Sequence, residues 1–416
     1  MYKIYFKQAI EMLKQNKFIS TITIIGTALA IMMIMVIIVS ESIQNISVVP
    51  EANRDRTMYM RYEIKKTKDE KNMQSNGATS YEIYKNYLSD MKTPEFTSLI
   101  KSSWEKNQVT TAEDQSNIMN IKAKAVDANF WKLMSFSFIE GKPFTQEDFS
   151  SGLKKAVVTE KTAKALYGNE NAMGKTIQID YHPFTIIGIV KDVSPVFKHA
   201  YGEIYIPYTS YADYAENYYL IYFLAKDRQD FGAIVEEVRA AERKHDAIDA
   251  EWNLTLLGPY DHKTNIINDT NREPDTKGEM RKMILILSIF LLVPAINLSS
   301  FSMSQMKKRV EEIGVRKAYG AKRHVILMQV LYENFITSLI GGFIGLLLSY
   351  IVVIWLKDWL LGVDSSASLP LATFVSWPVF VAVFIVCILL NLISAGIPAF
   401  RASRTLIVDS LNKNTL

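Results

Sequence analysis

Four long stretches of the chain carry no charged residue, and each is long enough to cross a lipid bilayer. A membrane helix needs roughly 20 apolar residues in succession, and the stretches are Phe18–Val39, Met283–Met306, Asn334–Leu356 and residues 374–399. Pro294 and Asn297 interrupt the second stretch, but neighbouring helices can satisfy the backbone groups that such residues free. The pattern predicts four transmembrane helices, at 18–42, 283–306, 327–356 and 374–400.

The first stretch has one alternative interpretation, a cleavable signal peptide, because lysines precede it. Its 22 apolar residues exceed the usual length of a signal-peptide core, and Ser40-Glu41-Ser42 is a poor cleavage site. We therefore interpret it as a retained membrane anchor. Residues 1–17 place Tyr2, Phe6 and Leu13 on one side of a helix, which predicts an amphipathic helix at the cytoplasmic membrane surface. A cytoplasmic extension of the first membrane helix is the alternative for this segment.

The third stretch contains three glycines close together, Gly341, Gly342 and Gly345. Small residues at membrane depth allow a neighbouring helix to approach closely. A local bend of the helix is the other interpretation, and the sequence alone leaves both open.

Residues 43–282, between the first two predicted spans, alternate between strand-like and helix-like patterns. Strands are predicted at Met58–Lys65, Ile118–Val126, Tyr218–Lys226 and Trp252–Leu257, and helices at Ser80–Met91 and Phe231–His245. The central part has shorter elements, which are a strand at Ala156–Thr159, a helix at Thr162–Tyr167, and a hairpin of Thr176–Asp180 and Phe184–Val190.

These patterns predict an α-helical membrane protein with four transmembrane helices and a large α+β extracytoplasmic domain inserted between helices 1 and 2. We expect this domain, residues 43–282, to have two lobes, with an inserted β-rich lobe at about 127–195. The polar residues 261–278 are predicted to be a linker that returns to the membrane. The domain has no cysteine, so its own apolar core must stabilise it, and its length is sufficient for that.

The distribution of basic residues predicts the orientation in the membrane. Fourteen Lys and Arg residues lie in the N-terminal flank, the 307–326 loop and the 401–416 tail, against Lys357 alone between the third and fourth spans. Basic residues in short loops favour the cytoplasmic side, so both termini and the 307–326 loop are predicted to be cytoplasmic. The 43–282 segment has 32 basic and 35 acidic residues, a balance that argues against nucleic acid as a partner.

Composition excludes several kinds of reactive site. The single cysteine, Cys387, excludes an internal disulfide and a multi-cysteine metal site. The five histidines (182, 199, 245, 262 and 324) are too few and too dispersed for a histidine-rich metal centre. The apolar stretches contain no Asp, Glu, Lys, Arg or His, although ion-coupled transport usually requires an ionisable group at membrane depth. The sequence therefore supplies no energy coupling of its own.

Two further candidates for chemistry are weak. The segment from Gly168 to Gly174-Lys175-Thr176 resembles a phosphate-binding loop, but it has five residues between its glycines where that motif has four. We interpret it as a turn before a strand. Asp148, Glu160 and Asp192 could supply a carboxylate pair, but no spacing distinguishes them from surface carboxylates.

One basic segment has an order that a positive-inside loop alone does not predict. It reads Arg309-Val-Glu-Glu-Ile-Gly-Val-Arg-Lys-Ala-Tyr-Gly-Ala321. It resembles the cytoplasmic loop of MacB/FtsX-type ABC transporter permeases, whose pattern is close to Arg-Glu-Ile-Gly-Ile-Arg-Arg-Ala-x-Gly-Ala. Glu311 stands where that family usually has arginine.

The resemblance extends over essentially the whole chain. Gly141-Lys-Pro-Phe144 followed by Asp148 is similar to a family pattern in the outer domain, which continues through Val157 to Asp192. The tail from Pro398 to Leu411 is similar to the family's C-terminal ending. The resemblance implies the same four-span layout that the apolar stretches predict.

The resemblance also implies roles for the residues of the loop. In this family the loop forms a short coupling helix that seats in a cleft of a cytoplasmic ATPase, and the matching residues are Glu312, Ile313, Gly314, Val315, Arg316, Lys317, Ala318, Gly320 and Ala321. Arg316 and Lys317 would face acidic ATPase surface, and Ile313 and Val315 would make the apolar contact. Gly314 and Gly320 would permit close packing and the helix end.

The implied protein is a permease that dimerises with itself or with a related permease. No Walker motif precedes the first span, so the resemblance implies a separate ATPase subunit that binds ATP and Mg²⁺, with no catalytic, cofactor or metal site in this chain. Membrane lipids and a periplasmic adaptor or hydrolase are the other expected partners.

The implied function is export or extraction of peptide, lipopeptide, toxin or lipoprotein substrates. An FtsX-like regulator of cell-wall hydrolases is the alternative, and a membrane-anchored hydrolase lacks any nucleophile or metal constellation.

Overall fold

The computed structural model describes residues 10–11, 17–69, 73–103, 105–267, 272–308, 315, 319–320 and 323–361, and from 381 to 400 the residues 381–382, 384–386, 388–389, 392–393, 396 and 400. Gln44–Lys277 lies in one compact unit, called the α+β domain below, and the helical residues of 17–43, 278–360 and 381–400 lie in another. Most of the predicted N-terminal amphipathic helix and the predicted tail lie outside the described residues.

The described helices are α1 Lys17–Asn45, α2 Tyr81–Ile83, α3 Phe130–Leu133, α4 Gln146–Ser150, α5 Glu160–Tyr167, α6 Phe231–Ile248, α7 His262–Ile267, α8 Thr276–Lys308 and α9 Arg323–Leu361. A π-helical turn at Tyr84–Leu88 continues α2. The described strands are β1 Thr57–Met60, β2 Tyr62–Thr67, β3 Gln74–Ser80, β4 Phe96–Lys101, β5 Asn107–Thr111, β6 Met119–Ile121, β7 Ala123–Val126, β8 Phe138–Gly141, β9 Lys155–Thr159, β10 Thr176–Ile179, β11 His182–Val190, β12 Ile204–Pro207, β13 Tyr218–Leu224, β14 Trp252–Leu257 and β15 Tyr260–Asp261.

Among the described residues, two helices are long and apolar enough to cross a membrane. They are Ser20–Val39 in α1 and Leu327–Trp355 in α9. The predicted second span lies within α8, which continues as a helix past Pro294 to Lys308, and the described residues between 381 and 400 are helical. The layout with four transmembrane helices stays a prediction.

The glycines of α9 pack against α1. A Cβ atom added at Gly345 would lie 2.6 Å from the Ala28 carbonyl oxygen, and one added at Gly341 would lie 2.9 Å from Cβ of Thr27. Distances this short leave no room for a side chain, so the two helices approach closely at these positions. Of the two interpretations of the glycines, close helix approach is therefore the one that the structure supports.

We expect Gly345→Ala to destabilise the helix pair by about 1–3 kcal/mol, because a methyl group there overpacks a closed contact. Gly26→Ala in α1 is the matched control, since a Cβ at Gly26 meets no atom of the described residues within 4 Å. Thermal unfolding of the full chain in detergent measures the difference. Equal midpoints for the two variants would contradict the close packing of α9 on α1.

The strands of the α+β domain form one extended mixed sheet. Among the described residues its order is β14-β2-β3-β13-β4-β7-β12-β9-β11-β10-β5-β6, with β1 on β13 and β15, and β8 on β11. The pairs β9–β11 and β7–β12 are parallel, and the other pairs are antiparallel. The predicted limits of a separate lobe, 127–195, stay a prediction, and strand pairing crosses both of them because β5 pairs with β10 and β12 pairs with β9.

Both faces of the sheet are buried, because successive strand residues point to opposite faces. On β1, Met58 and Met60 belong to one buried cluster and Tyr59 to the other. On β13, Ile221 and Phe223 belong to the first cluster, and Tyr222 and Leu224 to the second. The domain thus has an apolar core on each side of the sheet, without a disulfide.

The sheet is narrowest between β4 and β7. These strands share a single register pair, Ile100 with Val126. The buried Asp127 follows at once, and its carboxylate accepts hydrogen bonds from Ser98 Oγ (2.7 Å) and from the Leu99 amide (2.9 Å) on β4. One side chain therefore supplements a short strand pairing at the middle of the domain.

Three sequence predictions needed correction. The strand predicted at Met58–Lys65 is two strands, because β1 pairs with β13 while β2 pairs with β14 and β3. The strand predicted at Ile118–Val126 is also two strands, because β6 pairs with β5 while β7 pairs with β12 and β4. The linker predicted at 261–278 begins with ordered structure, because β15 pairs with β1 and α7 packs with two of its side chains, His262 and Asn265, buried.

Candidate functional site

The coupling residues inferred from the sequence lie mostly outside the described residues. Glu312, Ile313, Gly314, Arg316, Lys317, Ala318 and Ala321 are among those outside. Of the described ones, Val315 is helical and half exposed, and the neighbouring Tyr319 is 89% exposed. The assignment of this loop to an ATPase contact stays a prediction.

The described part of the loop forms the end of a helical turn. The amide of Tyr319 donates to the carbonyl oxygen of Val315 at 3.1 Å. Gly320 follows with a φ of +89°, a left-handed conformation that glycine adopts without steric cost at the end of a helix. Two exposed apolar side chains and a helix-ending glycine therefore lie within six residues of each other.

A second candidate site is a buried polar cluster in the α+β domain. We call it the Arg54 cluster, and its members are Glu51, Arg54, Tyr59, His199, Tyr222, His262 and Asn265. Nothing in the sequence groups these residues, since they come from four separate parts of the chain, at 51–59, 199, 222 and 262–265. From the sequence, His199 and His262 are candidates only for metal binding. Within the described residues, however, no group of three or more His, Cys, Asp or Glu could hold a metal ion.

The centre of the cluster is an ion pair between Glu51 and Arg54. Nε of Arg54 donates to Oε2 of Glu51 at 2.7 Å, and both side chains are only 1% exposed. Nη1 of Arg54 also donates to the carbonyl oxygens of Gln44 (3.0 Å) and Ile46 (2.9 Å). These carbonyls lie at the C-terminal end of α1, where backbone acceptors lack partners within the helix and a cation is favourable.

The other carboxylate oxygen of Glu51 binds a distant part of the chain. Oε1 accepts hydrogen bonds from the amides of His199 and Ala200, each at 2.9 Å. Arg54 lies 5.0 Å from the ring centroid of Phe197, a cation–π contact. The ion pair therefore joins the end of α1 to residues 197–200.

The ring of His199 is fully partnered in its neutral form. Asn265 Nδ2 donates to Nε2 of His199 (3.1 Å), so Nδ1 carries the proton and donates to the hydroxyl of Tyr222 (2.8 Å). The ring stacks on Tyr59 with 4.2 Å between centroids. A proton on Nε2 would face the amino group of Asn265, so these contacts fit the neutral imidazole with its proton on Nδ1.

His262 brings α7 into the same cluster. Its Nε2 donates to the carbonyl oxygen of Gln44 at 2.8 Å, the same oxygen that Arg54 contacts. The ring lies 5.6 Å from Tyr59 and 5.7 Å from His199 between centroids. Burial lowers the pKa of His262 below its usual value, and its other nitrogen, Nδ1, is buried without a hydrogen-bond partner among the described residues. The end of α1 is thus held from two sides.

We expect the free energy of unfolding of the domain to fall as the pH drops below about 6.5. Burial lowers the pKa of the His199 imidazole far below that value, and the positive charges of Arg61, His262, Lys124 and Arg54 act in the same direction. In the unfolded chain His199 takes up a proton near pH 6.5. The unfolded state therefore binds one proton more, and this residue alone removes up to about 1.4 kcal/mol of stability per pH unit.

Urea unfolding of the full chain in detergent between about pH 5 and 8 checks this expectation. Asp127 acts in the opposite direction, because burial raises the pKa of its carboxyl to about 6 and the folded state then gains a proton below that pH. His199→Gln should flatten the loss of stability at acid pH, and Asp127→Asn should steepen it. An unchanged slope in His199→Gln would show that the ring is not held neutral.

The other candidates named from the sequence have structural roles. Lys175, in the phosphate-loop-like segment, pairs with Glu170 and lies 4.5 Å from the ring centroid of Tyr167. Asp148 completes the capping box of α4, whose N-cap is Thr145, and pairs with Lys155 at 2.6 Å. Glu160 pairs with Lys164, and Asp192 accepts a hydrogen bond from the amide of Lys161. None of these contacts forms a carboxylate pair.

Two family models match the chain, one after the other. The MacB-like periplasmic core domain matches residues 20–241, and the FtsX-like permease C-terminal domain matches residues 284–407. The first includes α1 and most of the α+β domain. The second includes the basic loop and α9.

Several curated relatives are similar over more than half of the chain. The uncharacterized ABC transporter permease YknZ of Bacillus subtilis is 23% identical over 300 residues, which cover 69% of this chain and 68% of YknZ. The macrolide export ATP-binding/permease protein MacB of Hahella chejuensis is 28% identical, over 56% of this chain and 35% of MacB. The pyoverdine export ATP-binding/permease protein PvdT of Pseudomonas aeruginosa is 30% identical, over 54% of this chain and 33% of PvdT. The chain therefore spans about a third of the length of the MacB and PvdT relatives.

Two solved structures are similar in part. The extracellular domain of YknZ from Gram-positive bacteria aligns over 49% of this chain and 100% of that domain, with 16% identity and a TM-score of 0.37. The periplasmic region of MacB from Actinobacillus actinomycetemcomitans aligns over 51% of this chain and 95% of that region, with 16% identity and a TM-score of 0.36. The family assignment rests on the two family models, which together account for most of the sequence, and the chain belongs to the MacB/FtsX-like ABC transporter permease family.

Proposed function

We propose that the chain is the permease subunit of an ABC transporter in which a separate cytoplasmic ATPase drives mechanical motion of the extracytoplasmic α+β domain. The family consists of cytoplasmic-membrane proteins with a periplasmic domain. The observation that carries the proposal is the order of the two matches, with the MacB-like core domain ahead of the FtsX-like permease domain. We further propose four membrane spans with both termini cytoplasmic, from the excess of basic residues in the flanks.

The basic loop is the proposed contact with the ATPase. Arg316 and Lys317 offer positive charge, and Val315 and Tyr319 offer exposed apolar surface in the described part of the loop. Such a mixture of arginine and apolar side chains is typical of protein interfaces. ATP and Mg²⁺ would be bound by the partner, which would close on ATP and move the loop of each subunit in a dimer.

Export or extraction is the function that we favour. The relatives MacB and PvdT are named for macrolide and pyoverdine export, and the large α+β domain provides the surface that such a role needs. For this chain we propose peptide, lipopeptide, toxin or lipoprotein substrates, taken from the outer leaflet or the periplasm. The alternative is an FtsX-like regulator of cell-wall hydrolases, which the match to the FtsX-like domain keeps open.

Affinity purification of the full chain from its own membranes tests the proposal. We expect an ABC ATPase to copurify, and the purified complex to hydrolyse ATP faster than the ATPase alone. A copurified cell-wall hydrolase would favour the regulator over the exporter. A chain that neither binds nor stimulates any ATPase would contradict the proposed function itself.

A further inference from the structure

The Arg54 cluster connects the end of α1 to parts of the domain that are remote in sequence. The carbonyl oxygen of Gln44 accepts from both Arg54 (3.0 Å) and His262 (2.8 Å). The carboxylate of Glu51 pairs with Arg54 and also accepts hydrogen bonds from the amides of His199 and Ala200. Three segments, at 44–54, 197–200 and 262–265, therefore meet at one buried site.

We propose that Arg54 and Glu51 are positioning residues that carry displacement of the end of α1 into residues 197–200 and α7 of the α+β domain. The inference rests on the proposed function, because it names the residues through which motion of the membrane helix reaches the domain. Neither residue would contact substrate or nucleotide. Their role would be to keep the three segments moving together.

The chemistry of the cluster makes it resist deformation. A guanidinium group donates in a fixed planar fork, so its geometry toward two carbonyls and one carboxylate is strictly defined. Charge-assisted hydrogen bonds are roughly twice as strong as neutral ones. Separating Arg54 from Glu51 would leave two buried charges without partners, at a large cost. Displacing the end of α1 therefore moves the bound segments more readily than it breaks the contacts.

The connection continues to the middle of the sheet. His199 donates to the hydroxyl of Tyr222 at 2.8 Å, and Tyr222 belongs to β13, which pairs with β1, β3 and β4. Tyr59 of β1 stacks on His199. A shift of residues 197–200 would thus displace the central strands β1 and β13.

A neighbouring ion pair has a similar fork of contacts but is far more exposed. Arg56 pairs with Glu95 at 3.0 Å, but the two side chains are 34% and 44% exposed. Water can replace either partner there, so the pair is expected to yield under displacement. Arg56→Lys is therefore the matched control for Arg54→Lys. Both substitutions keep the positive charge and remove the planar fork.

Hydrogen exchange of the full chain, assembled with its ATPase in lipid nanodiscs, tests the inference. Without nucleotide, we expect Arg54→Lys to speed exchange in residues 197–202 and 262–267 by about tenfold or more, because local opening there becomes easier. Arg56→Lys should leave both segments as in the wild type. Unchanged exchange of both segments in Arg54→Lys would overturn the connection.

The same preparation with ATP and vanadate separates the inference from the proposed function. In the wild type we expect nucleotide to change exchange within Gln44–Lys277, and in Arg54→Lys this change should be lost from residues 197–202 and 262–267. A wild type without any response would contradict the proposed function, and the nucleotide-free comparison would then still decide the connection. A full response in Arg54→Lys would overturn the positioning role while the proposed function stands.

Discussion

Reversing two charges of the basic loop, in the double variant R316E/K317E, is expected to abolish stimulation of the partner ATPase. The two substitutions change four units of charge at a surface that we propose meets acidic ATPase groups. Like charges across an interface, and buried charges that lose their partners, cost roughly 2–5 kcal/mol or more. Binding should therefore weaken by at least about tenfold. The measurement is ATP hydrolysis by the ATPase titrated with the purified chain in nanodiscs.

The double variant K307E/K308E is the matched control. It makes the same change of charge in the same predicted loop, at positions outside the segment that resembles the family pattern. We expect stimulation to be largely kept in this control, and the unfolding of the α+β domain to be unchanged in both variants. Equal loss of stimulation in the two variants would show that net positive charge, and not Arg316 and Lys317, makes the contact.

Glu51→Gln is expected to destabilise the α+β domain by about 3–5 kcal/mol, because it leaves the Arg54 guanidinium buried without a counter-charge. The amide oxygen of the glutamine can still accept from the amides of His199 and Ala200. The loss therefore isolates the ion pair, in which both side chains are 1% exposed. For a domain of this size, such a loss lowers the thermal midpoint by roughly 6–20 °C. Scanning calorimetry of the full chain in detergent measures it.

Glu95→Gln is the control for this variant, since it makes the same substitution in the half-exposed pair with Arg56. Exposed ion pairs contribute about 0–1 kcal/mol, so its midpoint should stay within a few degrees of the wild type. A Glu51→Gln midpoint as high as that of Glu95→Gln would contradict the structural importance of the buried pair.

The sequence predicted elements whose apolar pattern is local. The strand at Trp252–Leu257 has the predicted bounds, and the helix predicted at Phe231–His245 extends only three residues further. The strand predicted at Met58–Lys65 was wrong in its continuity. The hydrophobic pattern indicates which residues are buried. The break at Arg61 has another cause, because β1 and β2 pair with different strands. The sequence of a single strand does not reveal which strand it pairs with.

The same limit applies to the two candidate sites. The basic loop was recognisable because its residues are contiguous, and its resemblance placed the chain in a family that the two family models confirm. The Arg54 cluster was missed because Glu51 meets His199 across 148 positions of sequence. By their spacing in the sequence, His199 and His262 are only poor candidates for metal ligands. In the fold they lie beside Tyr59 and Gln44, where they are neutral hydrogen-bonding groups.

The narrow pairing between β4 and β7 leaves the two halves of the sheet dependent on side-chain contacts to stay joined. The junction has one register pair, a backbone hydrogen bond from the Asp127 amide to Leu99 and the carboxylate of Asp127, whereas β13 and β4 share six register pairs. Cooperative units of a protein separate where few contacts cross. Both apolar clusters and the Arg54 cluster extend across this junction, so they, more than the strand pairing, hold β1–β4 with β13–β15 and β5–β12 together. Because burial raises the pKa of the Asp127 carboxyl to about 6, acidification below that pH neutralises the acceptor of the side-chain hydrogen bonds at the junction.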